Sequence, residues 1–419
     1  MTHLFKNISN LVTCTNPEDG PKRGKTQGDI YTVENGFLLF DKNILYAGNE
    51  SGCRKFIKEH GIKGIRETDC TGKTVMPGFV DSHTHLVFAG SRSDEYEMRI
   101  SGSTYEEIAV AGGGIKSTVN SVRKHSKESL YKISEKRLAN FIKHGTTTLE
   151  AKSGYGLDVR NEIKMLEVIR ELNAKNKFGA DILPTFLGAH AVPKGMKKSD
   201  YVDLICYEMI PLIARKNLAV FIDVFCEKGY FDAAETKRIL ETGKKFGMIS
   251  KLHSEQFNTI GGIDAAVELN AISVDHLEVL KKKEIGKLRN TNIIATLLPG
   301  ASYFLDMVYP PAREIIANGI PAALATDFNP GSCMTENLQA VMSLASVKMK
   351  MSAEEIINAA TINGAYALYR QNVSGSLEKG KQSDILLFDF PSYKDLIYHF
   401  GVNLLQVAVK KGNFIVNEL

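Results

Sequence analysis

Val75-Met76-Pro77-Gly78-Phe79-Val80-Asp81-Ser82-His83-Thr84-His85 is an apolar run that closes on two histidines two positions apart. Side chains alternate across a β-strand, so His83 and His85 leave on one side and aim at one point. Three later stretches repeat the pattern of an apolar strand ending in a metal-competent group. They are Met248-Ile249-Ser250-Lys251-Leu252-His253, Ala271-Ile272-Ser273-Val274-Asp275-His276 and Ala322-Ala323-Leu324-Ala325-Thr326-Asp327. Five of the ten histidines (His83, His85, His190, His253, His276) stand at such ends. A lone histidine there reads as a hydrogen-bonded structural residue. A pair, with three more polar ends in matching contexts, reads as a site. Imidazoles with one carboxylate suit Zn²⁺ or Fe²⁺ better than Ca²⁺ or Mg²⁺, which prefer oxygen cages.

Between these ends, short apolar runs at 146–150, 182–187, 222–225 and 293–297 alternate with amphipathic stretches. Residues 161–173 are one such stretch, with Ile163, Leu166, Ile169 and Leu172 at helical spacing. Strand–helix alternation over 76–371 predicts a parallel α/β domain, and its length suits a TIM-type (β/α)₈ barrel. All strand C-termini of such a barrel open on one face, so groups far apart in sequence converge there. An open doubly wound sheet is the alternative, but no strand–GxGxxG–helix fingerprint supports it. Ala111-Gly112-Gly113-Gly114-Ile115 is glycine-rich without that spacing. Residues 1–75 and 372–419 carry short β-prone runs bounded by Gly, Asn and Asp, which predicts a small antiparallel β domain built from both chain ends.

With 419 residues, 43% hydrophobic and 24% charged, the chain buries a sizeable core, which excludes disordered, collagen-like and disulfide-scaffold classes. The net charge of +4 is spread rather than blocked, so neither nucleic acid nor an anionic membrane is called for, and a small molecule is the expected partner. No apolar run approaches the ~18 residues of a spanning helix. The first residues show no basic-then-apolar leader. The six scattered cysteines, with no CxxC pair, read as reduced, buried thiols of a cytoplasmic protein.

The run from Pro77 to His85 resembles the first-strand signature of the amidohydrolase superfamily. The stretch Gly375-Ser376-Leu377-Glu378-Lys379-Gly380-Lys381-Gln382-Ser383-Asp384 is similar to the entry into that superfamily's terminal β domain. More specific likenesses are to the imidazolonepropionase family. They lie in His85-Leu86-Val87-Phe88-Ala89-Gly90-Ser91-Arg92, Glu150-Ala151-Lys152-Ser153-Gly154-Tyr155-Gly156-Leu157, Phe186-Leu187-Gly188-Ala189-His190 and Thr326-Asp327-Phe328-Asn329-Pro330-Gly331-Ser332. The resemblance implies one divalent metal, Zn or Fe, held by His83, His85, His253 and Asp327 and lowering the pKa of a bound water. It implies 4-imidazolone-5-propanoate as substrate, its cyclic amide opened to N-formimidoyl-L-glutamate in histidine degradation. Asp327 is then the proton acceptor, and His276 orients water or stabilises charge on the carbonyl oxygen. Arg92 is implied as the partner of the propanoate, since a guanidinium pairs bidentately with carboxylate. Tyr155 and His190 add hydrogen bonds, while Asn329, Gly331 and Ser332 form a loop around substrate or product. Some members carry a glutamate three residues after the metal histidine; this chain has Gln256 there, beside Glu255. An amide neither gives nor takes a proton as an acid or base does, so Gln256 is assigned to substrate binding alone.

Lys152 follows a strand, as do lysines that are carboxylated to bridge two metals in dinuclear amidohydrolases, but its Lys-Ser-Gly-Tyr context matches a mononuclear branch better. Glu227 is read as a structural salt-bridge partner. Two other functions stay in view. A purine- or cytosine-type aminohydrolase uses a similar cradle, but its neutral base substrate has no carboxylate to engage Arg92. A catalytically dead scaffold has no chemical reason to keep a complete ligand set. A homodimer is compatible with this architecture.

Overall fold

The computed structural model describes residues 1–103, 107 and 113–418. Its first strands are β1 (Thr2–Val12), β2 (Thr32–Phe40), β3 (Ile44–Gly48), β4 (Ile65–Asp69) and β5 (Thr74–Pro77). The middle of the chain adds β6 (Phe79–Asp81), β7 (Thr146–Lys152), β8 (Asp181–Ala189), β9 (Phe221–Cys226), β10 (Ile249–Ser254), β11 (Ser273–His276), β12 (Ile294–Leu297) and β13 (Ala322–Leu324). The C-terminal part supplies β14 (Ile385–Phe388), β15 (Leu405–Lys410) and β16 (Asn413–Asn417).

Strands β6 to β13 lie side by side in sequence order, every pair parallel. Closure comes just past the strand ends. Thr84 bridges Phe328, with Asp327 N donating to His83 O at 3.0 Å and His85 N to Phe328 O at 2.9 Å. This is a TIM-type (β/α)₈ barrel, and its unbroken strand order leaves no reversal point of the kind an open doubly wound sheet has. Helices cover the outside. Val159–Lys175 starts where Asp158 accepts from Asn161 N, and it turns Leu166, Ile169 and Leu172 inward.

The remaining strands form a second sheet, in the order β16-β15-β14-β5-β1-β2-β3, with β4 also on β1. It is mixed, not purely antiparallel, because β4 and β5 both run parallel to β1. The helix Glu50–Glu59 lies between β3 and β4 and supplies the crossover that a parallel return requires. Pro77-Gly78-Phe79 joins the two sheets. A Cβ at Gly78 would stand 2.2 Å from Thr147 Oγ1, so only glycine lets the chain step from one sheet to the other here. Ala111 and Gly112 of the glycine-rich stretch lie outside the described residues. All six cysteines are buried and free. Among the described residues no helix is long and apolar enough to cross a membrane.

Candidate active site

β6 stops at Asp81, and the polypeptide carries His83 and His85 on to the seam where the barrel closes. That seam brings the two ends of the barrel domain together: His83 Nε2 lies 3.3 Å and His85 Nε2 3.7 Å from Asp327 Oδ1. β10 delivers His253, whose ring centroid is 4.4 Å from that of His83 and 5.7 Å from that of His85. Donor atoms of His83, His85 and Asp327 fall within 4.8 Å of one another, as do those of His83, His253 and His276. Among the described residues, His83 Nε2 and His253 Nε2 are buried with no hydrogen-bond partner. Buried polar atoms without partners are costly, so such nitrogens grouped around a carboxylate fit a divalent cation.

His276 and Asp327 reach the mouth by unusual backbone. Alternation would send His276 to the side opposite Asp275. Instead its φ is 86°, followed by 71° at Leu277, and Asp327 sits at 53°. Left-handed conformations cost an L-residue roughly 1–2 kcal/mol each, and here they aim side chains at the cluster. Glu278 Oε1 lies 3.3 Å from His276 Nδ1. Among the protein groups alone, burial would depress the His276 imidazole, but Glu278, and then Asp327 and Asp275, outweigh it and lift it to about 9. Burial pushes the Asp327 carboxyl up to about 6, against His276, Ser332 and Asn329, which hold it down.

Behind the rings stand two buried carboxylates. Asp275 Oδ2 is 2.7 Å from His83 Nδ1 and Asp223 Oδ2 is 2.9 Å from His253 Nδ1. Such contacts fix which face of a ligand ring looks outward. Neither aspartate stood out as a site residue in the sequence, although Ile222-Asp223-Val224 placed a charge inside an apolar strand.

Above the cluster opens a cavity of about 500 Å³ lined by His85, His253, His276 and Asp327 together with Arg92, Tyr155, His190, Gln256, Asn329, Gly331 and Ser332. His83 lies beneath, fully buried. Arg92 gives Nε and a terminal nitrogen to Glu95 Oε2, at 2.8 and 2.7 Å. His190 Nδ1 faces Gly154 O at 3.1 Å, and burial with His253 nearby lowers its imidazole to about 3, so it stays neutral. Burial raises the Tyr155 hydroxyl, which stays a donor. The loop after β13 is knitted to itself. Asn329 Oδ1 accepts from Gly331 N and Ser332 N, both at 2.8 Å, and Ser332 Oγ donates to Asp327 Oδ2 at 2.9 Å.

Glu255 does not line the cavity. Its carboxyl oxygens are buried, and burial pushes the group up to about 7, against Thr259, which holds it down. Among the described residues Glu227 forms no salt bridge, contrary to the sequence expectation. It accepts from Phe257 N at 2.9 Å and Asn258 N at 3.2 Å and so holds the turn after Gln256. Glu95 and Glu162 escaped the sequence reading because each is an acid in a helix's first turn, where dipole compensation is explanation enough.

The Amidohydrolase family profile matches residues 229–416. The chain is 44% identical to the imidazolonepropionase of Thermoanaerobacter pseudethanolicus, covering 98% of this chain and 97% of the relative. It is 43% identical to that of Geobacillus thermodenitrificans, covering 100% and 99%. Among solved structures, an adenosine deaminase from Xanthomonas campestris with bound zinc superposes with a TM-score of 0.71 at 15% identity, covering 99% of this chain and 93% of that one, a likeness of fold.

Proposed function

The chain belongs to the imidazolonepropionase family of the amidohydrolases, and we propose that it hydrolyses the cyclic amide of 4-imidazolone-5-propanoate to N-formimidoyl-L-glutamate, a step of histidine degradation. The observation that carries the reading is a pair of triads sharing His83, one with His85 and Asp327 and one with His253 and His276, under a cavity that also holds Arg92. From these, His83, His85, His253 and Asp327 are the proposed holders of one divalent metal, Zn or Fe. When bound there, the cation supplies Lewis-acid activation of water and of the ring carbonyl.

The protein's own groups account for the rest. Arg92 takes the propanoate, with Tyr155, His190 and Gln256 as hydrogen-bonding partners of the ring. Asp327, steered by the Ser332 hydroxyl, accepts the proton released as water adds to the ring carbonyl carbon. His276, oriented by Glu278 Oε1 at 3.3 Å from its Nδ1, faces the carbonyl oxygen as negative charge gathers on it. The amide C–N bond then breaks: oxygen from water stays on carbon, and the proton passes to the ring nitrogen. Residues 76–371 would form the catalytic domain, with 1–75 and 372–419 as its composite β companion.

The test is hydrolysis of freshly generated imidazolone propanoate with and without a chelator. We expect turnover to vanish on metal removal and to return with Zn²⁺ or Fe²⁺. Turnover indifferent to chelation, or hydrolysis only of a neutral purine or cytosine, overturns the reading. Elemental analysis of the purified protein decides between the two metals.

A further inference from the structure

Five charged side chains, Glu150, Lys152, Asp223, Lys251 and Asp275, are shut inside the barrel below the histidines, each with no exposed surface. Strand alternation puts them there: Glu150 and Lys152 share the inner side of β7, as Lys251 and His253 share that of β10. Lys152 Nζ lies 2.6 Å from Asp223 Oδ2, 2.8 Å from Glu150 Oε2 and 3.6 Å from Asp275 Oδ2. Asp223 and Asp275 are the two carboxylates set against His253 Nδ1 and His83 Nδ1. One ammonium thus faces both groups that orient two of the rings. Lys251 is placed differently: its Nζ donates to Ser82 O at 2.9 Å and stands 3.2 Å from Glu150 Oε1.

We propose that Lys152 is a positioning residue of the metal centre, a buried ammonium that pins Asp223 and Asp275 and through them presents the Nε2 atoms of His253 and His83 to the cation. The inference rests on the ligand set proposed above. It also replaces the carboxylated-lysine reading. Donor atoms of His83, Glu150 and Asp275 lie within 4.8 Å of one another, the layout of a second cation site. Two ammoniums already provide positive charge there, and a carbamate at Lys152 would press a fourth anion against three buried carboxylates.

Charge and geometry make opposite forecasts for the loss of Lys152. Deleting a nearby positive charge draws a cation in more strongly; freeing the carboxylates lets the rings turn away. Changing partners behind a ligand typically weakens metal affinity about 10–100-fold, so geometry should win. The experiment titrates Zn²⁺ into the metal-free full chain against a chromophoric chelator, comparing the parent, Lys152→Met, Asp223→Asn and the double variant. Methionine keeps length and bulk without charge. We expect Lys152→Met to bind Zn²⁺ about 10–100-fold more weakly while still melting cooperatively, with an altered Co²⁺ absorption spectrum. The double variant should lose less than the two single losses combined, because Lys152 acts through Asp223.

Parent-like or tighter Zn²⁺ binding by a folded Lys152→Met protein overturns the proposal. So does a parent that holds two equivalents and a variant that holds one. If Lys152→Met does not fold, Asp223→Asn and Asp275→Asn decide: weaker binding in each supports the proposal, and parent-like affinity in both overturns it. A parent that binds no Zn²⁺ overturns the ligand set itself, an outcome distinct from all of these.

Discussion

Arg92 enters the cavity already engaged with Glu95, which also accepts from Gly114 N at 2.9 Å, so one carboxylate holds both the guanidinium and the start of the helix Ile115–Lys124. Nη1 passes so near Gly331 that a Cβ there would stand 2.2 Å from it. Gly331 has no positive φ, so its bareness serves that close approach rather than a turn. Gly331→Ala should therefore displace the guanidinium with little effect on the fold. A charge-assisted hydrogen bond contributes about 1.5–3 kcal/mol, so losing it should raise KM roughly 10–100-fold while kcat changes less. Arg92→Ala should raise KM at least as far. Steady-state kinetics on the imidazolone propanoate check both, and parent-like KM in the two variants would remove Arg92 from substrate binding. The polar ends of the site were legible in the sequence because they recur after apolar runs. Glu95 was not, since Ser93-Asp94-Glu95 spells an ordinary helix start.

At the scale of elements, the barrel strands could be placed from their apolar runs and the covering helix from its Leu166, Ile169, Leu172 spacing. Two features had no local signature. The seam between β6 and β13 forms only when the barrel closes, so the contact of His83 with Asp327 is a product of tertiary structure. The left-handed backbone at His276 and Asp327 breaks alternation, and neither residue type announces it. The loop after β7 shows how an element is held in register by a neighbour. Glu162, in the first turn of the Val159–Lys175 helix and fully buried, accepts from Gly154 N at 3.1 Å, Gly156 N at 2.7 Å and Leu157 N at 3.0 Å. These bonds flank Tyr155 and fix where its hydroxyl points. Glu162→Gln would turn an amide N–H₂ toward backbone donors. A buried donor left unsatisfied costs about 1–3 kcal/mol, so chemical denaturation should show a loss in that range. KM should rise as Tyr155 loosens. A variant with the parent's midpoint and KM would show that the loop holds itself.

The whole molecule is two sheets that must dock, and the chemistry of docking lies away from the mouth. Asp181, at the start of β8, faces residues from the terminal sheet: Lys410 Nζ at 2.8 Å, Lys411 Nζ at 2.7 Å and Gln382 Nε2 at 2.9 Å. Lys410 is fully buried and also pairs with Asp384 at 2.7 Å. Burial alone would raise the Asp181 carboxyl, but Lys410, then Lys411 and Gln382, hold it well below the usual carboxylate range. A carboxyl depressed in the folded state contributes stability that is fully present above its unfolded pKa, about 3.9, and lost as pH falls toward the folded value. This contact should therefore be insensitive to pH from neutrality down to about 4 and weaken below that. Asp181→Asn removes the charge while Asp384 still faces Lys410, so we expect a loss of about 1–3 kcal/mol at pH 7. Because the parent's advantage is the charge, the two proteins' urea midpoints should draw together as the pH drops below about 4. Catalysis by the variant at pH 7 should match the parent's, since the N-terminal ends of barrel strands carry stability and the C-terminal ends carry chemistry. Urea midpoints measured across pH for both proteins decide it: equal midpoints at pH 7, or a gap that widens in acid, would show that the sheets are held by their apolar faces instead.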